Sequence, residues 1–153
     1  MTKGEILNLF KSLNQLGALK GVKFAYGVSK NLNILKPEIE SLEKANEASD
    51  KFKEFEKARI DLIKEHCKKD DKGKEVIENN EYVVEDKKEW EKAFNKLKKE
   101  HQGSVDEREK QIKDYMELLK TDSKVDLYKI KLSDVPNEIT TMQMNSIINV
   151  IEE

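Results

Sequence analysis

Apolar side chains recur at three- and four-residue steps through most of this chain. Ile6, Leu9, Phe10, Leu13 and Leu16 form one face of a first helix. The capping box Thr2-Lys3-Gly4-Glu5 opens it, with Met1 and Ile6 placed as a staple, and it should stop near Gly17. A second face follows from Gly21 in Val22, Ala25, Val28, Leu32 and Leu35, with Tyr26 beside them. Gly27 inside that pattern costs about 1 kcal/mol relative to alanine, so close packing against another element is expected there. Pro37 then either kinks one long helix or occupies the first turn of a new one. Beyond it, Ile39, Leu42, Ala45, Ala48, Phe52, Phe55, Leu62 and Ile63 continue a narrow apolar stripe. A matching stripe of Trp90, Phe94, Leu97, Val105, Ile112, Tyr115 and Leu119 starts from Asp86 as N-cap, with acids near the positive end of the helix dipole.

Two stripes of about 32 residues, each roughly 48 Å long as helix, joined by a short connection, predict an antiparallel helical hairpin. With the turn centred near residue 79, Phe94 should lie by Ile63 and Tyr115 by Leu42. Gly103 should lie by Phe55, leaving room for its ring. Ser104-Val105-Asp106-Glu107 is itself a capping box and allows a break, but the pattern favours a continuous helix.

The connection reads KEVIENNEYVVEDKKEW, from Lys74 to Trp90. Its alternation and its Asn79-Asn80 pair predict a two-residue β-hairpin, because Asn tolerates the positive φ such turns require. The cross-strand pairs are then Glu78/Glu81, Ile77/Tyr82 and Val76/Val83. Ile77, Tyr82 and Val84 fall on one face, and Val76 and Val83 on the other. One face can lean on the helix ends and Trp90; the other face and the edges have no evident cover in the chain. The ribbon either simply caps the helices or docks onto another molecule by strand addition or apolar contact. Val76, Ile77, Tyr82, Val83, Val84 and Trp90 are the candidate interaction residues.

The tail changes character. Lys124 to Leu132, KVDLYKIKL, reads as a strand, and SDVPNE as a loop. Thr140-Thr141-Met142-Gln143 is a further capping box, opening a short helix with Met144, Ile147, Ile148 and Ile151. The expected fold is therefore mostly α (α+β). A compact helical head (1–36 and 121–153) includes the C-terminal strand, and a coiled-coil-like helical hairpin (37–120) carries the β-ribbon at 74–85, all within one domain.

Composition supports that picture. Of the 88 residues from 37 to 124, 46 are charged, as suits a helical pair exposing most of its surface. The net charge of -2 is unevenly spread: residues 1–36 carry six lysines against one acid, and residues 125–153 two bases against five acids. Those two segments are expected to pack together. Nucleic-acid binding through the basic start is discouraged by a pI of about 5.9 and by the lack of interleaved exposed aromatics. Mean hydropathy is -0.80, and no apolar run approaches the ~20 residues of a membrane span. The apolar residues of MTKGEILNLFKSLNQL are interrupted at helical spacing, unlike a signal peptide, so a cytoplasmic protein is expected. One cysteine, Cys67, excludes an internal disulfide and a Cys-based zinc finger. His66 and His101 stand too far apart in the paired helices to share a metal. No phosphate loop, nucleophile elbow or isolated carboxylate pair appears, so neither catalysis nor a cofactor is expected.

LNQLGALKGVKFAYGVSKNLNILKPEIESLEKA, VIENNEYVVED and VDLYKIKLSDVPNEITTMQMNSIINVIEE together resemble a family of small, functionally uncharacterised proteins of tailed bacteriophages and prophages. The resemblance covers nearly the full length and implies a phage context and expression in a bacterial cytoplasm. It brings no active site. The order helix, β-hairpin, helix is also similar to prefoldin subunits, although here a third or more of the chain lies outside the coiled coil. The expected function is binding of another protein, host or phage, by inhibiting a host or defence factor or by serving virion assembly. A self-assembling, chaperone-like homo-oligomer is the alternative.

Overall fold

Thr2 opens α1 (Lys3–Gln15) by the chemistry its neighbours dictate. Its hydroxyl accepts the Glu5 N–H at 3.2 Å, and the Glu5 carboxylate accepts the Thr2 N–H at 2.7 Å. The structure, a computed structural model, describes residues 1–153. It is mostly helical, with six α-helices and two sheets of two short strands each. The chain forms two compact units, Met1–Asn46 with Asp114–Glu153, and Glu47–Lys113. No helix is long and apolar enough to cross a membrane.

The long helices are shorter than the apolar stripes suggest. α2 (Val22–Asn46) runs straight through Pro37. Pro37 and Asn33, whose carbonyl loses its partner there, are both exposed, so water can take the place of the missing bond. The helix instead ends at Asn46, and Ser49 caps α3 (Asp50–His66), its hydroxyl accepting from Phe52 N–H at 3.3 Å. Lys53 draws Glu47 (2.9 Å) and Asp50 (3.4 Å) around that start, and the hydrogen bond to Glu47 raises the lysine pKa. The Gln111 side chain donates to the Glu47 carbonyl at 2.8 Å, satisfying a group released by the break.

The expected continuous second helix is also divided. α4 (Lys87–Glu100) starts from Asp86, whose carboxylate accepts from Lys88 and Glu89 N–H, and stops at His101. α5 (Gln102–Lys120) follows at once. Ser104 opens no helix of its own, because its hydroxyl is turned back as a donor to the His101 carbonyl at 2.9 Å. That carbonyl also accepts from the Ser104 and Val105 N–H groups, a tightened turn that interrupts the α-helical ladder. Gly103 makes no room for Phe55: nothing lies within 4 Å of where its Cβ would be.

In the first unit, Ile6, Leu9, Leu13, Phe24, Val28, Leu35 and Ile39 of α1 and α2 meet Ile130, Ile147 and Val150 from the tail in one core. The first residues are strapped to the end of α5: Lys3 N–H donates to Thr121 O (2.9 Å), and Ser123 N–H to Met1 O (2.9 Å). Lys3 also pairs with Glu38. The tail is less regular than its alternation suggests. Only β3 (Ile130–Lys131) within Lys124–Leu132 becomes strand, pairing in parallel with β4 (Ile151–Glu152). Residues 124–129 have no strand partner. Asn31, fully buried on α2, holds them instead: its side-chain amide donates to Tyr128 O at 2.9 Å and accepts Tyr128 N–H at 2.8 Å. α6 (Thr141–Ile147) opens from the expected Thr140/Gln143 capping box. It does not reach Ile151: a 3-10 turn (Ile148–Val150) follows, and Ile151 enters β4.

Gly27 finds the close packing its cost demands. A Cβ there would lie 2.6 Å from Ile130 Cγ1 and 2.9 Å from Cδ1, so the bare helix lets the tail approach. In the second unit, α3 and α4 pack antiparallel, with His66 by Trp90 and Phe55 by His101. This lies two residues from the register expected for a turn at 79.

Two outcomes follow from this packing. Gly27→Ala gains about 1 kcal/mol of helix propensity but overpacks Ile130 by about 1–3 kcal/mol, so a net loss of up to about 2 kcal/mol is expected. Gly103→Ala, in open space, should gain about 0.5 kcal/mol, and urea unfolding of the two variants should shift in opposite directions. Asn31→Ala strands the backbone N–H and C=O of Tyr128. At roughly 1–3 kcal/mol each, about 2–6 kcal/mol should be lost, read as a lower urea midpoint by circular dichroism. An unchanged midpoint would mean that water replaces the amide.

A candidate interaction ribbon

The ribbon begins earlier than its alternating residues, at the end of α3. Cys67, buried and with its thiol donating to Lys64 O at 3.2 Å, leaves the helix in extended conformation and bridges to Val84. Lys68 is then wedged between the two arms: its N–H donates to Val83 O at 2.7 Å, and its carbonyl accepts Val76 N–H at 2.8 Å. Lys69 bridges to Glu75. A first tight turn intervenes at Asp70–Lys74, where the Asp70 carboxylate accepts the Lys72 and Lys74 N–H groups and Gly73 takes φ 77°. Sequence reasoning missed this segment, although Asp-Asp-Lys-Gly carries the turn chemistry that marks it.

The second turn is the expected one. Asn79 (φ 51°) and Asn80 (φ 65°) both adopt left-handed backbone, as a two-residue type I′ turn requires. β1 (Ile77–Glu78) pairs with β2 (Glu81–Tyr82) in the expected register, Ile77 to Tyr82 and Glu78 to Glu81. Below them Val83 N–H donates to Val76 O at 2.9 Å, and Glu85 N–H reaches back to His66 O at 3.0 Å. The base of the ribbon is therefore pinned to the end of α3, and only the tip has open edges.

The candidate residues separate accordingly. Ile77 is 56% exposed at the tip, opposite half-buried Tyr82. Val76, Val83 and Val84 are half-buried around the Cys67–Lys69 segment, which covers edges that the sequence left without cover. Trp90 belongs to the helices: it stacks on Phe94 (5.4 Å, 17°) and meets the edge of His66 (6.2 Å). Phe94 continues to Phe55, and Phe55 to Phe52 and His101, so both histidines sit against rings.

A second concave feature, missed in the sequence, lies in the first unit. Val22, Lys23 and Tyr26 on the first turns of α2, with Tyr128, Lys131 and Asp134 of the tail, line a cleft of about 510 Å³ floored by Ile130. The rings of Tyr26 and Tyr128 meet edge to face at 5.9 Å, and the Lys30 ammonium lies 4.2 Å from the Tyr128 centroid. Val22 is 89% and Tyr26 59% exposed. Lys23 reaches Asp134 at 3.6 Å, the one ion pair joining residues 1–36 to residues 125–153. Lys, Tyr and Val at three- and four-residue spacing gave a faint signal, but the other wall comes from a hundred residues away.

No three His, Cys, Asp or Glu side chains converge as a metal site, and no buried side-chain polar atom lacks a partner. No protein-family model, curated protein or solved structure matches the chain.

The tip should depend on its turn. Replacing both asparagines, Asn79→Ala with Asn80→Ala, puts alanines in left-handed backbone at roughly 1 kcal/mol each. Amide exchange at Val83 N–H should then accelerate about tenfold or more, whereas Asn80→Gly should leave it unchanged or slower.

Proposed function

We propose that this chain is a non-enzymatic bacteriophage or prophage protein that works in the bacterial host cytoplasm by binding another protein through the tip of its ribbon. The phage context rests on the resemblance of the three quoted segments. The observation that carries the binding role is Ile77, more than half exposed on a ribbon held by a left-handed two-residue turn and a hydrogen-bonded base. A rigid tip loses little conformational entropy on docking, so burial of the isoleucine is not cancelled by ordering. The open edges are two residues long on each side, Ile77–Glu78 and Glu81–Tyr82, too short for an extended strand addition. Apolar contact at Ile77 and Tyr82, flanked by Glu78 and Glu81, is therefore the mode the geometry favours.

The partner, a host or defence factor or a virion-assembly component, is to be retained from bacterial lysate by tagged wild-type chain and quantified by mass spectrometry. Ile77→Ser, at the exposed tip, removes roughly 1–2 kcal/mol of apolar burial at the contact, and retention should fall about tenfold. Circular dichroism matching the wild type is the control that the variant is folded. Equal retention by both chains would remove the ribbon from the interface and this function with it.

A further inference from the structure

We infer that the cleft of the first unit is a docking site for the ribbon tip of a second copy of this chain. This rests on the ribbon being an interaction element and names one partner for it. Two charge imbalances carry the argument. From Glu75 to Asp86 the chain holds Glu75, Glu78, Glu81, Glu85 and Asp86 and no base. The strand register places Glu78 directly opposite Glu81, a like-charge pair that costs stability while it faces only water. The cleft has the converse problem. Lys23 and Lys131 line it with Asp134 as the acid on its wall, Lys30 stands over the ring of Tyr128 beside it, and the Lys23 side chain remains 81% exposed despite its pairing with Asp134.

Each surface also presents apolar groups that water covers poorly: Ile77 on the ribbon, and Val22 and Tyr26 at the cleft. Docking places Ile77 against Val22 and Tyr26 and puts Glu78 and Glu81 among the three lysines. It relieves both imbalances at once, which a neutral apolar partner cannot do. The net charge of -2 opposes unspecific self-association, so the attraction comes from this local match and is screened by salt. Ribbon and cleft are different surfaces, so the contact is heterologous: copies join head to tail and either close into a ring or extend as a chain.

The test is sedimentation and light scattering of the intact chain across concentration, at low and high salt. Wild type should exceed its monomer mass of 17.8 kDa as concentration rises at low salt and return to it at high salt. Lys23→Glu/Lys30→Glu/Lys131→Glu and Glu75→Lys/Glu78→Lys/Glu81→Lys should each weaken self-association at least about tenfold. Mixing the two reversed variants should restore association, with the two variants alternating in one-to-one proportion. The milder Lys23→Gln/Lys131→Gln and Glu78→Gln/Glu81→Gln changes should weaken it by a smaller factor, which guards against misfolding of the triple variants. A wild type that stays monomeric throughout overturns the inference, as does an oligomer indifferent to these charges or a mixture that fails to pair. Should the wild type be monomeric while Ile77→Ser still abolishes retention of a foreign protein, the docking falls and the ribbon's function stands.

Discussion

The first unit depends on a single buried amide. Asn31 is completely enclosed on α2, and both ends of its side chain are used, one to donate to the Tyr128 carbonyl and one to accept the Tyr128 N–H. A backbone segment lying on a helix cannot find ladder partners there, and a buried unpaired peptide group is costly. The amide supplies the two bonds a neighbouring strand would have provided. With Tyr128 fixed, Ile130 falls into the space left by Gly27, and β3 is placed to receive β4. The wall of the cleft is a consequence of the same clamp, because Tyr128 meets Tyr26 and Lys30 on the outer side of that contact.

The second unit is organised by rings and by hydrogen bonds at its ends. Phe55 is its buried ring, touched by Phe52, Phe94 and His101, while no residue of α4 is fully buried. Two packed helices cannot enclose a core on all sides, and the heavy charge of α3 and α4 is the solvated remainder. The ribbon answers a problem of chain direction. Two antiparallel helices could be joined by a few residues, yet the chain turns twice, at Asp70–Lys74 and at Asn79–Asn80. Lys68 ties the arms together between those turns. The result is a short, stiff element with acid at its tip, which a minimal loop could not present.

Charge gives the two units different surfaces. Lys30 of α2 lies beside Tyr26 and Tyr128, whereas Glu78 and Glu81 of the ribbon stand opposite one another across the strands. The like-charge pair of the ribbon costs stability, whereas the lysine over the tyrosine ring is held by attraction.

Local signals were legible because their physics acts over three or four residues. The Thr2 and Thr140 capping boxes, the Asp86 cap and the Asn79-Asn80 turn each satisfy backbone groups from within their own segment. The helical character and the register of the ribbon followed from them. Where helices stop was decided otherwise: the stripes continue past Asn46 and His101, but Ser49 and Ser104 competed for backbone bonds and Gln111 took up the Glu47 carbonyl. The tail's alternation promised a strand through Leu132, yet a strand forms only where a partner strand lies, and here that was two residues of β4. Of the candidate site, Ile77 and Tyr82 at the tip were readable from turn and alternation. The cover of the ribbon's base and the whole Tyr26–Tyr128 cleft were not. The sequence alone determined the helical character of these segments, the starts at Thr2, Asp86 and Thr140 and the Asn79-Asn80 turn, because each of these carries its own hydrogen-bond partners. Only the tertiary structure decided which surfaces remain open, since Asn31 and Tyr128 are 97 residues apart and no local rule brings them together.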